Sequence, residues 1–354
     1  MARAKANRSF ELGGVDVAPG TQQTIQLDVA QLYTHTPLTI PVEVLNGRLE
    51  GPVLLISAAI HGDELNGVEV VRQILSLIEP AKLKGTLVAV PVVNVFGFIQ
   101  KSRYLPDRRD LNRSFPGSQK GSIAARLAHQ FFSQVVTRCS HIIDLHTAAV
   151  YRTNLPQLRA NLDDPESSAM AQAFGAPVVI NASTRDGSLR AEAQAKGIPV
   201  LTFEGGEALR FDSGAINMAI KGCIRVMRSL GMLPSRRRSL SDTMAVARST
   251  SWVRAEQDGI IRSQVALGSK VKKGDVLAKI AAPLGHGEFT LLAPKEGIVI
   301  GQHTLPLVNE GDALFHLAYF EQQQADEAMA QIDSLFDEDP NPGIIYDVDE
   351  PGLT

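Results

Sequence analysis

The sequence of 354 residues has only two cysteines, Cys139 and Cys223, and both lie in stretches whose pattern predicts a helix. Two isolated cysteines make neither a disulfide framework nor a four-ligand structural zinc site, so we expect a reducing, cytoplasmic environment. No run approaches the roughly 18 uninterrupted apolar residues of a membrane-spanning helix. The basic residues 1–7 have no apolar segment behind them, which argues against a secretory signal.

Basic residues are absent from residue 320 onward, where the chain carries ten acidic residues. The formal net charge of −3 therefore combines an acidic end with a charge of +7 on the first 319 residues. That positive charge is modest and forms no basic stripe with interleaved aromatic residues, so we expect no nucleic-acid partner. We interpret 320–354 as an acidic tail, extended except for a helix over 326–336.

The hydrophobic pattern changes twice along the chain. Residues 1–48 alternate between apolar and polar, which predicts an N-terminal β segment. Residues 49–234 alternate between continuous apolar runs and helical patterns, and this predicts an α/β domain whose mixed, mostly parallel sheet is flanked by helices. The predicted strands lie at 53–60, 86–93, 142–146, 178–180 and 199–203, and the predicted helices at 65–78, 122–137, 166–174, 189–195 and 215–230.

A third region, 250–319, is rich in β pattern and internally repeated, and an arginine-containing linker at 233–238 precedes it. Its two halves resemble the β-sandwich of biotinyl and lipoyl carrier domains, whose modified lysine lies in the hairpin between the halves. Here that hairpin, at 282–287, contains no lysine. We therefore expect a covering or assembly module without carrier chemistry.

Histidines and carboxylates follow two of the predicted strands. His61 and Glu64 are three residues apart where the first apolar strand ends and a helix begins, and His146 ends a later strand. Because parallel strands end at one edge of a sheet, these side chains can converge on a catalytic zinc. Asp144, two residues before His146 on the same face, can orient a ligand. Taken singly, the motifs also fit a helix-capping turn and a strand-end histidine.

Two further signals are an arginine-rich loop and a strand-end carboxylate. The loop 103–117 contains four arginines, and guanidinium groups can clamp a carboxylate or stabilise an oxyanion, although a solvated charge run is the common alternative. Glu204 follows a predicted strand and precedes two glycines, so its carboxylate is uncrowded. Beside zinc-bound water it would be a general base, and otherwise it would support the next turn.

Four motifs, taken in their order along the chain, resemble those of the succinylglutamate desuccinylase/aspartoacylase family, which is similar in fold to the zinc carboxypeptidases. The resemblance covers about residues 50–232. The motifs are His61-x-x-Glu64, Asp110-Leu111-Asn112-Arg113, Asp144-Leu145-His146-Thr147 and Glu204-Gly205.

The resemblance implies one Zn²⁺ per chain, held by His61, Glu64 and His146. It also implies that Glu204 is the general base, that Asn112 and Arg113 hold the substrate carboxylate, and that Asp110 supports a zinc histidine. The arginine that polarises the scissile carbonyl has two candidates. Arg103-Tyr104 matches the family's Arg-Tyr pair but lies farther from the next motif here, so Arg109 stays a rival.

The activity implied by the resemblance is zinc-dependent hydrolysis of the amide bond of a small anionic N-acyl amino acid by metal-activated water. Two other functions stay open from the residues. One is a zinc carboxypeptidase or amidase acting on peptides, and the other is a non-enzymatic binding protein with a vestigial metal site. We expect no membrane partner, and a homo-oligomer is left open.

Overall fold

The computed structural model describes residues 5–235, 244–285 and 287–337. Its helices are α1 (Asn66–Leu77), α2 (Val95–Gln100), α3 (Ile123–Gln134), α4 (Pro165–Phe174), α5 (Leu189–Gln194), α6 (Ser213–Ser229) and α7 (Gln322–Asp337), with 3-10 helices at Pro80–Lys82, Leu111–Arg113 and Val136–Arg138. Its strands are β1 (Phe10–Leu12), β2 (Val15–Val17), β3 (Thr21–Gln31), β4 (Pro37–Asn46), β5 (Leu49–Ala58), β6 (Lys84–Val90), β7 (His141–Ala148), β8 (Arg152–Ala160), β9 (Val178–Asn181), β10 (Val200–Glu207), β11 (Val246–Ala247), β12 (Ser249–Arg254), β13 (Gly259–Ser263), β14 (Lys270–Val271), β15 (Val276–Ala281), β16 (Glu288–Leu292), β17 (Gly297–His303), β18 (Leu307–Val308) and β19 (Ala313–Tyr319).

A mixed 13-stranded sheet forms the centre of the fold, and its main path is β12-β19-β17-β8-β10-β7-β5-β6-β4-β3. The prediction of a mixed sheet flanked by helices is confirmed. The parallel part is smaller than predicted: it comprises β6-β5-β7-β10 and the branch β8-β9-β11. The strands on both flanks of the main path pair antiparallel, because the β3–β4 hairpin and the return strand β8 reverse the chain direction.

The central strands are covered by helices on both faces. Leu54 and Ile56 of β5 pack in a cluster with residues of α1, α4 and α6, whereas Leu55 packs in a second cluster with residues of α3 and α5. Successive side chains of a strand point to opposite faces, so a strand buried on both sides appears as a continuous apolar run. The run 53–60 therefore did predict a central strand.

The other predicted strands and helices of the α/β domain occur within a few residues of their expected ends. Sequence patterns missed β8, whose polar residues and Pro156 are atypical of a strand, and the short α2. Cys223 lies in α6 as expected, but Cys139 was misassigned, because it follows the 3-10 helix Val136–Arg138. Among the described residues, no helix is long and apolar enough to cross a membrane.

The predicted acidic tail begins with a helix. α7 starts at Gln322, four residues before the predicted start, and its Ala328 and Ile332 are buried in a cluster that also contains Ile298 and Ile300 of β17. The remainder of the tail, 338–354, lies outside the described residues. So do residues 236–243, which include most of the arginine cluster of the predicted linker.

The C-terminal strands belong to two sheets that share one hydrophobic cluster. β13, β15, β16 and β18 form a separate four-stranded sheet, while β12, β14, β17 and β19 extend the main sheet. β17 pairs with β8 of the α/β domain, and β4 of the N-terminal segment pairs with β6. The main sheet therefore crosses the predicted domain boundaries, which stay predictions, as does the likeness to carrier domains.

A tight turn joins β5 to α1 and carries the first candidate site residues. Ala59 adopts a left-handed φ of 49°, and the turn is fixed by hydrogen bonds that the Val93 and Asn94 amides donate to the carbonyl oxygens of residues 58 and 59. Gly62 then passes so close to α2 that an added Cβ would lie 2.0 Å from the carbonyl carbon of Gly97. Only a residue without a side chain fits there.

We expect Gly62→Ala to lower the free energy of unfolding by about 1–3 kcal/mol, since backbone would have to move to relieve the overlap. Chemical denaturation would measure the change. Gly214→Ala in α6 is the matched control, because its added Cβ meets nothing nearer than 3.5 Å, and it should be neutral or slightly stabilising. Equal effects of the two substitutions would contradict the close approach.

Candidate active site

His61, Glu64 and His146 come together at the ends of β5 and β7. One ligand atom from each of the three lies within 4.8 Å of the others, and all three side chains are buried. The Glu64 carboxylate lies between the two rings, with Oε1 2.7 Å from Nδ1 of His61 and Oε2 2.7 Å from Nδ1 of His146. Glu64 does not cap α1, so its role as a simple helix-capping acid is excluded.

The remaining ring nitrogens of the two histidines face aspartates. His61 Nε2 lies 3.1 Å from Oδ1 of Asp110, and His146 Nε2 lies 2.8 Å from Oδ2 of Asp144. The Ser57 hydroxyl donates to the other oxygen of Asp144, at 2.8 Å. A carboxylate on the far nitrogen is the usual way in which a metal-binding histidine is oriented.

The electrostatics of this group favour positive charge between the rings. Burial disfavours the charged form of Glu64, but the nearby His61 and His146 hold the pKa of its carboxyl far below the ordinary value. Burial likewise disfavours a charged His146 ring, but Asp144 and Glu64 raise its pKa well above the ordinary value. The three carboxylates around the two imidazoles attract positive charge, and a bound cation would take the place of the ring protons that face Glu64.

Glu204 lies on β10 opposite His146 of β7 and lines the same cavity. Its Oε2 accepts a hydrogen bond from the Asn154 amide at 3.1 Å, and its Oε1 lies 3.8 Å from Nε of Arg159. Burial raises the pKa of the Glu204 carboxyl. The structure therefore places a carboxylate of increased basicity beside the histidine–glutamate group, not at a helix terminus.

Of the two rival arginines, only Arg103 lines the cavity. Its guanidinium contacts Glu64 at 3.2 Å and Asp110 at 3.0 Å. Arg109 has a side chain that is 64% exposed, and its nearest carboxylate is that of Asp107, at 3.8 Å. The structure thus brings Arg103 to the site and leaves Arg109 outside it.

Asn112 and Arg113 belong to a 3-10 helix that Asp110 caps by accepting a hydrogen bond from the Asn112 amide N–H at 2.8 Å. Both side chains line the cavity. The Asn112 side-chain oxygen accepts from the Leu189 N–H at 2.9 Å, which fixes the loop against the start of α5. Arg113 donates to the carbonyl oxygen of Asn112 and forms no ion pair with a described carboxylate.

These side chains line a cavity of about 490 Å³ whose wall is rich in arginine. Among the described residues its carboxylates are Glu64, Asp144 and Glu204, whereas its arginines are twice as many. Burial, with the charges of two neighbouring arginines, lowers the pKa of Arg190 to about 10. Such crowding of cations favours an anionic ligand. The arginines are Arg103, Arg113, Arg152, Arg159, Arg185 and Arg190.

Several cavity residues have no signal in the local sequence. Asn154 and Arg159 lie on β8, the strand that polar residues concealed, and Trp252 and His316 come from the C-terminal strands. Trp252 is the only tryptophan of the sequence, but a single aromatic residue about 190 positions from His61 carries no local signal of shared location. These residues enter the site through strand pairing.

Comparison with known proteins identifies the family of the α/β domain. The model of the succinylglutamate desuccinylase/aspartoacylase catalytic domain matches residues 50–230. An N-alpha-acetyl-L-2,4-diaminobutyric acid deacetylase of Halomonas elongata is 27% identical over 294 residues, which cover 79% of this chain and 85% of the relative.

Solved structures share the fold. The ectoine utilization protein EutE of Ruegeria pomeroyi, in its product-bound structure, has a TM-score of 0.77 and 23% identity, covering 90% of this chain and 99% of its own. A succinylglutamate desuccinylase/aspartoacylase of Rhodobacter sphaeroides has a TM-score of 0.75 and 24% identity, covering 85% and 96%. With the family model matching over half of its length, this chain belongs to the succinylglutamate desuccinylase/aspartoacylase family.

Proposed function

We propose that this protein is a zinc-dependent deacylase that hydrolyses the amide bond of a small anionic N-acyl amino acid. The observation that carries the proposal is the convergence of His61, Glu64 and His146 in an arginine-rich cavity. The Halomonas relative supports an N-acyl amino acid as the substrate, because its name describes the removal of an acetyl group from an amino acid.

The three side chains fit one Zn²⁺. Two histidines and one carboxylate are a known ligand set of catalytic zinc, and each histidine has an aspartate on its far nitrogen. A zinc ion held there supplies Lewis acidity for the amide carbonyl and lowers the pKa of water from 15.7 towards about 7.

Glu204 is the proposed general base. Its raised pKa makes it a better proton acceptor than an exposed glutamate, and Asn154 holds one of its oxygens in place. It takes the proton of the attacking water, so that the water oxygen bonds to the acyl carbon. It then delivers a proton to the leaving nitrogen as the amide bond breaks, which returns Glu204 to its ionised form.

The cavity arginines bind and orient the substrate. In this proposal Arg103, which lines the cavity, donates to the carbonyl oxygen as negative charge develops on it. Asn112 and Arg113 are proposed to hold the carboxylate of the amino acid, and this positioning promotes attack because the reacting atoms must be nearly aligned. The excess of arginines over carboxylates explains why the substrate should be anionic.

We expect His146→Ala to lose its zinc, since two remaining ligands hold the ion weakly. Elemental analysis of the purified protein should fall from about one zinc per chain to a small fraction of that. His141→Ala is the matched control on the same strand, because His141 lies outside the cavity, 3.9 Å from Glu166. A stoichiometric zinc content in His146→Ala would refute the ligand assignment.

Glu204→Gln should keep its metal and lose about 10²–10⁴-fold in kcat, because the amide cannot accept the proton. The assay is hydrolysis of acetylated, succinylated and formylated amino acids, with dipeptides included to detect a peptidase. Glu207→Gln on the same strand should retain activity, since Glu207 contacts Thr304 and the Tyr151 amide outside the cavity. Activity of Glu204→Gln within tenfold of wild type would remove it from the mechanism.

The two rival arginines can be separated by the same substitution. Arg103→Gln should lower kcat by about 10²–10³-fold, as expected when a donor to the developing oxyanion is removed. Arg109→Gln should leave kcat and KM unchanged, because its guanidinium is exposed outside the cavity. The opposite result would assign the oxyanion contact to Arg109.

A further inference from the structure

A row of paired residues crosses six neighbouring strands, from the histidine–glutamate group to the C-terminal strands. Each member lies opposite the next in the strand register, except that Asn154 lies opposite Gly206, two residues after Glu204. All members except Gly301 line the cavity. In order, the row contains His146, Glu204, Asn154, Gly301, His316 and Trp252.

Gly301 lets the two parts of the row approach each other. A Cβ added at this position would lie 3.0 Å from Oδ1 of Asn154 and 3.1 Å from Cβ of His316, which is tighter than ordinary contacts. The absence of a side chain at Gly301 therefore allows Asn154 of β8 and His316 of β19 to lie close on either side of it.

His316 is a buried polar side chain that faces the cavity without a partner. It is 4% exposed, and its ring is stacked on Trp252 with centroids 4.6 Å apart and planes 7° apart. Across the described ranges, neither ring nitrogen of His316 has a hydrogen-bond partner. These nitrogens are not among the enclosed polar atoms of the described residues, so they are open to the cavity that His316 lines and are available to a ligand.

The surroundings of His316 are positively charged. The guanidinium of Arg152 lies 5.3 Å from the centre of the Trp252 ring, and Arg152 has no ion pair with a described carboxylate. Burial and the charge of Arg159 lower the pKa of His316 to about 3. The ring is therefore neutral at physiological pH, with one N–H to donate, and the nearby arginines select an anionic acceptor.

We propose that Arg152, Trp252 and His316 form a substrate-binding wall that receives a carboxylate of the substrate remote from the scissile amide. The His316 N–H donates to this carboxylate and Arg152 neutralises it. The inference rests on the proposed function, because it takes the ligand to be an N-acyl amino acid. It gives the C-terminal strands a part in choosing the substrate, in addition to covering the cavity.

Trp252 supplies the reporter for a test, since the only tryptophan of the chain lies in this wall. Stopped-flow fluorescence, read before turnover, would give the Kd of N-acetyl-L-glutamate and of its uncharged analogue N-acetyl-L-glutamine. For wild type we expect the acid to bind at least about tenfold more tightly and to change the Trp252 emission, because only the acid places a charge against the wall.

His316→Phe keeps a ring against Trp252 and removes the N–H. It should weaken binding of N-acetyl-L-glutamate roughly tenfold to a hundredfold and leave binding of N-acetyl-L-glutamine unaffected. The ratio of the two Kd values should then be near one. Arg152→Gln, at a half-buried position that carries little risk to folding, should reduce the ratio in the same direction. His303→Phe is the matched control on β17, outside the cavity, and should preserve the ratio.

If His316 had a merely structural role, its replacement would change the Kd values of N-acetyl-L-glutamate and N-acetyl-L-glutamine together. The ratio of the two Kd values would then stay the same. A ratio unchanged in both His316→Phe and Arg152→Gln would overturn the wall, as would calorimetric binding of the acid without any change in Trp252 emission. If wild type hydrolyses no acylated amino acid while the ratio responds as expected, the proposed function fails and the wall stands. If wild type hydrolyses acylated amino acids but the Kd ratio is unchanged in the variants, the proposed function stands and the wall fails.

Discussion

The Glu64 carboxylate, held between two imidazoles from different strand ends, is the contact on which the site depends. It exists because β5 and β7 are parallel neighbours, with Ser57 opposite Asp144 in their register. The two strands therefore end together, and His61 and His146 face each other across the turn that carries Glu64. Removing water from three such groups is costly unless each is paired, and here Asp110 and Asp144 complete the pairing.

A continuous sheet links this contact to the rest of the chain. β10 and β8 carry Glu204 and Asn154 beside the histidine–glutamate group, and β17 attaches the C-terminal strands directly to β8. Backbone hydrogen bonds between strands hold neighbouring positions in a defined register, so Trp252 and His316 occupy defined places in the cavity although they follow the α/β domain in sequence. The C-terminal strands are consequently part of the cavity wall.

The net charge of the chain does not show that positive charge is concentrated in the cavity. The formal value of −3 suggests no preference for anions, but the cavity is lined by arginines from the loop after α2, from β8, and from α5 with the segment before it. Arg103 is matched by Glu64 and Asp110, whereas Arg113 and Arg152 form no ion pair with described carboxylates. An anionic ligand would supply the missing charge, which is consistent with the proposed substrate class.

The local sequence predicted much of this protein. Apolar runs predicted the central strands, and titratable groups at the ends of these strands predicted His61, Glu64, His146 and Glu204 as site residues. Periodicity and strand-end position are local properties, which is why they could be read directly. Only the tertiary structure separated Arg103 from Arg109, since the direction of a loop side chain depends on distant contacts. Only the tertiary structure showed that Asn154, Trp252 and His316 line the cavity, because strand pairing between distant segments has no signature in either segment by itself.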